Sequence, residues 1–568
     1  MPGIYEDVIP GVSVNVDTSG IIRPATVAGR APLVVGTACK GPANELVLID
    51  SVSRLHEVFG APDPYDDNSG IPLTLVRFAE FILTNSAVWC IRAVEPTAKE
   101  MIGNFDFNTA PTVYMAIKAK EKGAFFNYVK YRLTSSLITT GQWEIKLELL
   151  FPVDSEFNIN LPSADGLKMM DEFTQAIYVS YYTESDPSTL GIVPAQLYKA
   201  MTNSFLSTDT EYIIESSGWF EGSYRFDTLF EIIQHGAAAA EYITEVASWS
   251  FFDFVTTGSQ LGTNWSTDDS SEVDSIVVGQ CLETSLLEEI YYVMVADAHE
   301  NNTYFGVMAD HINQALNQSK ERIMLVGSSN DYDDVDDFMD SVSGFLTDTT
   351  LLALKGNGRI VVMAGGIQYL NRYYDGDQPV SYSPTEFDIL SGSYAVALIA
   401  GCLLSRDWHE GITNMAPSQA GYAFEDAQYR FQYGYVGKLT QNGAVLIEYK
   451  GAAAALPYVI VDGVSFTDAT HPFHDINIRQ IIDYVRKGMR GSAIPFIGRL
   501  NNARTRESLR TTMERFLDRT VTRGFLTTYT DLQVTATRAD EIAGIAYVDV
   551  SVQPVYILKF IKIRIKVE

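Results

Sequence analysis

A few short strings in this chain carry residue types that could do chemistry, and each can be tested against the spacing that chemistry needs. GYVGKLT (Gly434–Thr440) resembles a phosphate-binding loop. That loop requires Gly-x4-Gly-Lys followed by Ser or Thr, and Gln432 and Leu439 occupy its first and last positions. GNGRIV (Gly356–Val361) lacks a third glycine and precedes a strand pattern instead of following one, so it reads as a turn. DYDDVDD (Asp331–Asp337) is acidic enough for calcium, but Val335 sits at the fifth position, Asp336 where glycine is required and Val342 where a bidentate glutamate belongs. Ser328, Ser329 and Asn330 suit instead the N-cap of a helix with an acidic first turn.

Nucleophilic and metal chemistry fare no better. His471 and His474 in HPFH have no third ligand candidate nearby. No GxSxG elbow occurs, and the one His-Gly pair, His235 and Gly236, precedes an alanine run away from the apolar strand patterns. Cys39, Cys90, Cys281 and Cys402 are far apart, with no CxxC, and read as core thiols. The sequence therefore nominates no catalytic, cofactor-binding or metal-binding residue, and no cofactor.

The elements that any site would need are plentiful. At 568 residues the chain should form several domains, given ~100–200 residues for each. Continuous apolar runs at RAPLVVG (Arg30–Gly36), NSAVWCIRAV (Asn85–Val94), EIYYVMVAD (Glu289–Asp297), RIMLVGSS (Arg322–Ser329) and GRIVVMAGG (Gly358–Gly366) alternate with helical patterns. Strands buried on both faces and joined by helices imply a mainly parallel sheet. Between about residues 104 and 269 the texture becomes β-rich, with WEIKLELLF (Trp143–Phe151) and AIYVSYYT (Ala176–Thr183) set among Ser, Thr, Asp and Gly clusters. Residues 475–523 are helical in pattern, and strand character returns from Gly524.

Both ends carry period-two strands. VSVNVD places Val12, Val14 and Val16 on one face, and IKIRIKVE places Ile561, Ile563, Ile565 and Val567 on one face with Lys562, Arg564 and Lys566 on the other. A terminal strand frays unless something pairs with it. The first residues lack the basic and apolar regions of a secretory signal. The longest uncharged stretch, Ile389–Ser405, has 17 residues and falls short of the ~20 apolar ones of a membrane span, so it reads as a buried helix.

Charge divides the chain. Net charge is −30, which disfavours nucleic acid as a partner. Residues 471–568 hold 16 Lys and Arg against 10 Asp and Glu, whereas residues 1–470 hold 25 against 61. The C-terminal part suits an acidic protein surface or another copy of the chain.

Four stretches, in order, resemble the bacteriophage contractile tail sheath family: VVGTACKGPANELVLIDSVSRLHEVFG, SGSYAVALIAGCLLSRDWHEGITNMAP, GAVLIEYKGAAAALPYVIVDGVSF and INIRQIIDYVRKGMRGSAIPFIGRLNN. The resemblance covers residues 12–95 and 280–568, with a weaker match at Lys118–Leu133. It implies an α/β multidomain chain with a parallel-sheet, subtilisin-like central domain without a triad, an α+β C-terminal domain, an inserted β-rich domain and extended terminal arms. The implied boundaries are an arm at 1–28, the N-terminal part of the body at 29–103, the outward insertion at 104–269, the central α/β domain at 270–470 and the C-terminal domain at 471–568.

The function so implied is mechanical: hexameric rings stacked helically around a tail tube, contracting to drive the tube through a host envelope. Implied partners are copies of the chain, the tube protein, and baseplate and tail terminator proteins, with no nucleic acid and no membrane insertion. The implied location is the virion tail, after assembly in the host cytoplasm. Alternatives are the sheath of a phage-derived injection device and, from a different class, a serine hydrolase. By resemblance Val12, Val14, Val16, Ile561, Ile563, Ile565 and Val567 are candidate intersubunit arm strands. A C-terminal helix touches the tube in that family, which makes Arg504, Arg506, Arg510, Arg515 and Arg519 candidates for a basic tube-facing face.

Overall fold

The computed structural model describes residues 29–38, 40–60, 74–105, 115–122, 126, 129–150, 176–184, 186–187, 191–202, 214–217, 230–234, 242–256, 274–299, 304–328, 358–370, 387–417, 424–427, 433–451, 454, 456–559 and 561–566. By compactness they form two units, one of Arg30–Ser405 and Ile412–His471, the other including Arg406–Gly411 and Pro472–Glu568.

The first unit begins with β1 (Ala31–Gly36), β2 (Leu46–Ile49), helices α1 (Val52–Phe59) and α2 (Leu75–Leu83), and β3 (Val88–Arg92). An antiparallel region follows: β4 (Glu100–Asn104), β5 (Ala116–Lys122), β6 (Lys130–Thr139), β7 (Gln142–Leu150), β8 (Ala176–Thr183), helix α3 (Pro194–Thr202), β9 (Ile214–Ser217), β10 (Phe230–Gln234), β11 (Val246–Phe251) and β12 (Asp253–Thr256). The chain returns through α4 (Ser275–Thr284), β13 (Ile290–Val295), α5 (Tyr304–Asn317), β14 (Ile323–Gly327), β15 (Ile360–Met363), β16 (Ile367–Leu370), β17 (Phe387–Leu390), α6 (Gly392–Leu404), β18 (Phe424–Ala427), α7 (Tyr433–Gln441), β19 (Ala444–Val445), β20 (Ile447–Tyr449) and β21 (Tyr458–Ile460).

Its main sheet has the order β19-β15-β14-β13-β1-β3-β2, so residues from both ends of this unit build one sheet. The apolar runs explain its centre. In β1, Leu33 and Val35 join a core with Val277, Cys281, Met308 and Ile312 of α4 and α5. Between them Val34 is equally buried on the other face, where Phe78 of α2 and Tyr394 of α6 have ring centroids 6.2 Å apart. The uncharged stretch expected as a buried helix is α6, buried from Gly392 to Leu403. At Gly327 a Cβ would lie 1.8 Å from the Gly392 carbonyl oxygen, so this close approach of β14 to α6 requires glycine.

The expected fold class needs correction. The sheet is mixed rather than parallel, because β2 runs antiparallel to β3 at its edge. The other sheets contain only antiparallel pairs, and among the described residues no group of three or more His, Cys, Asp and Glu could hold a metal ion. The subtilisin-like label is therefore withdrawn. That label came with the family resemblance, and the apolar runs could not test it: a buried run marks a strand but states neither its neighbours nor its direction.

The antiparallel region has two sheets, β10-β5-β4-β12 and β11-β6-β7-β8-β9, over one core. Ile145, Leu147 and Leu149 alternate inward along β7, as its period-two pattern requires. Tyr131 stacks on Phe252 at 4.5 Å, with Phe105 edge-on to both at 5.3 Å.

Of the strings tested above, GYVGKLT lies in α7 and is helical, not a phosphate loop. DYDDVDD, Val342, Ser329, Asn330, His235, Gly236 and Cys39 lie outside the described residues. Cys90, Cys281 and Cys402 are buried thiols in no disulfide among the described residues. Burial raises the Cys90 thiol pKa and lifts that of Cys281 to about 12, so both are held as inert core thiols.

Beneath α5 a buried polar knot joins His311 to Arg322. The guanidinium donates to His311 Nε2 at 2.6 Å, to Ser285 Oγ at 3.0 Å and to the Ser285 and Glu288 carbonyls at 2.8 and 3.1 Å. Burial first, and the Arg322 charge second, lower the His311 pKa from 6.5 to about 3. The folded chain thus keeps His311 neutral while an unfolded chain protonates it near its ordinary pKa. Its stabilising contribution is complete above pH 6.5 and is lost as pH falls toward 3. Urea unfolding monitored between pH 7 and 4 should show a fall from this group of up to ~1.4 kcal/mol per pH unit, and His311→Gln should remove that part of the slope.

Candidate functional site

The second unit starts from two long helices. α8 (Ile476–Ala493) buries Ile478, Ile481 and Val485, and α9 (Ala503–Thr522) buries Leu509, Met513, Phe516 and Leu517 at helical spacing. They approach closely at Gly488, where a Cβ would lie 2.0 Å from Phe516 Cζ. Asn502 caps α9 by accepting the Thr505 N–H at 2.9 Å. A turn through Gly524 (φ 82°) leads into β22 (Leu526–Thr535), then α10 (Arg538–Ala543) and β23 (Tyr547–Pro554). β22 and β23 form a two-stranded antiparallel sheet that borders α9, and the Tyr529 hydroxyl donates to Asp518 Oδ1 at 2.6 Å. Helix α10 carries a full capping box between Thr537 and Asp540.

A piece of chain remote in sequence completes this core. Within Arg406–Gly411, Trp408 meets Tyr484 edge-on at 5.6 Å and His409 lies 4.5 Å from Phe525, which itself stacks on Tyr484. Asn477 Nδ2 donates to the His409 carbonyl at 3.4 Å, and Arg523 pairs with Asp407 at 3.3 Å.

The tail after β23 is the first of two candidate surfaces. Val555 N–H donates to the Phe525 carbonyl at 3.1 Å, Ile557 packs over Gly411, and Lys559 Nζ reaches Asp475 Oδ1 at 2.5 Å. Thereafter contact is lost: Ile561, Ile563 and Ile565 are 75%, 81% and 82% exposed. Among the described residues 555–566 belong to no strand and pair with no edge. Lys562, Arg564 and Lys566 are exposed on the alternate positions. Val12, Val14, Val16 and Val567 lie outside the described residues.

The second surface is α9, whose five nominated arginines separate into two groups. Arg506 is tied down, donating to Asn501 Oδ1 at 3.0 Å and Glu541 Oε1 at 3.0 Å, with most of its side chain covered. Hydrogen bonds from Arg538 and then Arg506 hold the Glu541 carboxyl below its ordinary pKa. Arg510 bonds Glu507 at 2.9 Å and faces Glu514 at 3.7 Å on its own helix. Arg504, Arg515 and Arg519 are exposed and have no ion-pair partner among the described residues. Sequence reasoning missed the Trp408 segment, the Lys559–Asp475 pair and α10. For the first two no sequence signal existed; Thr537 and Asp540 marked the third.

A surface made of an alternating tail and exposed cations that find no partner among the described residues offers main-chain groups, apolar area and charge to another molecule. Residues 468–568 match the family model of the phage tail sheath C-terminal domain. A sheath tail protein from Desulfitobacterium hafniense superposes with a TM-score of 0.54 at 11% identity, covering 96% of each chain. One from Listeria innocua gives 0.52 at 10% identity, covering 94% of this chain and 96% of that one. The helical sheath of an anti-feeding prophage in its contracted state gives 0.47 at 11% identity. A search of curated proteins finds no match. Residues 468–568 thus resemble the phage tail sheath C-terminal domain, and the chain has the fold of the two sheath tail proteins it superposes on.

The two groups of arginines should behave differently when reversed. Arg506→Glu places like charge against Glu541 and should cost about 1–3 kcal/mol in urea unfolding. Arg504→Glu, Arg515→Glu and Arg519→Glu should each stay within ~0.5 kcal/mol of the parent. Equal losses at all four positions would show that the split has no energetic meaning.

Proposed function

We propose that this chain is the structural subunit of a phage contractile tail sheath, polymerising as hexameric rings stacked helically around a tail tube and contracting to drive the tube through a host envelope for genome delivery. The observation that carries this reading is a sheath-type C-terminal domain whose alternating apolar tail finds no strand partner among the described residues of its own subunit. Burying each exposed isoleucine at a neighbour contributes roughly 1.5–3 kcal/mol, and main-chain bonds at a sheet edge set the register. The two-stranded β22–β23 sheet has an open edge on either side among the described residues, a ready acceptor for such strands. Different patches meeting on successive copies generate an open helical lattice.

In this reading Val12, Val14 and Val16 form the second arm. Arg504, Arg515 and Arg519 face the acidic tube protein, while Arg506 and Arg510 support the helix that presents them. Baseplate and terminator proteins complete the partner set, and the chain acts in the virion tail after assembly in the host cytoplasm. Its role is structural, with the work stored in a metastable packing rather than drawn from a bound nucleotide.

Negative-stain microscopy of purified protein decides the matter: long hollow tubes are expected, and discrete monodisperse particles would sink the proposal. The triple variant Ile561→Asp, Ile563→Asp, Ile565→Asp and a deletion of residues 1–20 should each leave a folded monomer by circular dichroism while abolishing tubes. Normal tubes from either would reject the corresponding arm. Charge reversal at Arg504, Arg515 and Arg519 together should weaken co-sedimentation with the tube more than self-assembly.

A further inference from the structure

Asp475 is the N-cap residue of α8, with φ −80° and ψ 122°, and its carbonyl accepts the Ile478 N–H at 3.1 Å. An aspartate there ordinarily turns its carboxylate onto the N–H of the second or third helical residue. Elsewhere in this chain Ser51, Asp274, Asn502 and Thr537 all do so. Asp475 makes no such bond. Its Oδ1 holds Lys559 Nζ at 2.5 Å instead, in a pair whose side chains are only 17% and 18% exposed.

As placed, that carboxylate serves Lys559 and leaves the helix N-terminus without its side-chain cap. We propose that Asp475 and Lys559 form a release latch: Asp475 grips the root of the tail when the tail is slack and turns back to cap α8 when the tail is pulled. The proposal rests on the reading of the tail as an intersubunit arm. It adds that the arm has two lengths. With the latch closed the described free segment is 561–566, which is exposed throughout. With it open, Tyr556 to Lys559 join the arm, and four extended residues add ~13 Å of reach. Opening also draws Ile557 off Gly411, and the Val555 N–H bond to the Phe525 carbonyl then holds the base of the tail. The ion pair alone would be lost outright on release; the waiting helix N-terminus offsets part of that loss, because its unpaired N–H groups and dipole favour the same carboxylate. A subunit so built can yield to rotation of its neighbour without unfolding its hairpin.

The latch is read on the unassembled full chain by brief trypsin treatment and intact mass. Lys562 and Arg564 are exposed controls, whereas Lys559 is held. Cleavage after Lys559 should be slow in the parent, and Asp475→Ser should speed it about tenfold while cleavage after Arg564 is unchanged. Serine still caps α8, so circular dichroism should be unaltered. Asp475→Asn, which keeps both shape and capping, provides the second variant should serine perturb the helix. In the complementary variant Lys559→Gln the freed carboxylate should slow hydrogen exchange at the Asn477 amide. Unchanged cleavage in both Asp475 variants, or unchanged exchange at Asn477, overturns the latch. The arm reading is decided separately by tube formation in the isoleucine variant, so the two can fail independently.

Discussion

An extended segment that carries isoleucine at every second position cannot satisfy itself. Its N–H and C=O groups point sideways, and at 561–566 they meet no partner within the subunit among the described residues. Its apolar side chains stand in water. A strand in this condition is an association site or an aggregation hazard, and natural proteins rarely leave one uncovered. The rest of the C-terminal unit is arranged around that constraint. Helices α8 and α9 supply a rigid base, the β22–β23 hairpin brings the chain to its edge, and Ile557 and Lys559 fix where the tail departs.

Charge imposes a second constraint. The surplus of 61 acidic over 25 basic residues before residue 471 means that copies of this chain repel one another over most of their area. Association must be directed through the part where the sign reverses. Not every arginine there is available for this purpose. Arg506 and Arg510 are satisfied by Glu541 and Glu507, whereas Arg504, Arg515 and Arg519 leave their charge in solvent. Each exposed cation contributes only ~0–1 kcal/mol to a contact, so such a surface matters through repetition along a lattice.

Burial was the legible part of the sequence. The apolar runs became β1, β3, β13, β14 and β15 because a strand covered by helices on both faces has no polar position to spare. Period-two alternation located β7, and helical spacing located the buried face of α9. Direction and order were not legible. β2 is a short edge strand whose Leu48 is exposed, and nothing in four residues declares that it runs against β3. The subtilisin-like expectation failed at that level, where resemblance stood in for topology. Among the candidate site residues, the sequence placed five arginines on one helix but could not see Glu541, 35 positions beyond Arg506 in the chain, close against its guanidinium. Spacing along a helix predicts neighbours on that helix only.

The same reasoning explains why the C-terminal unit is not a contiguous stretch of sequence. The family match begins at residue 468, yet the aromatic core around Tyr484 and Phe525 takes Trp408 and His409 from Arg406–Gly411. Trp408 is almost wholly buried there, and a large aromatic side chain removed from such a site costs several kcal/mol. Chain crossings at 405–406, 411–412 and 471–472 therefore lead into the unit that bears the tail. The unit that bears the tail is therefore joined to the rest of the chain by several covalent connections and not by one linker. A core closed by a segment remote in sequence resists detachment of its unit better than a single hinge of any length would, because the chain would have to give up the Trp408 site as well.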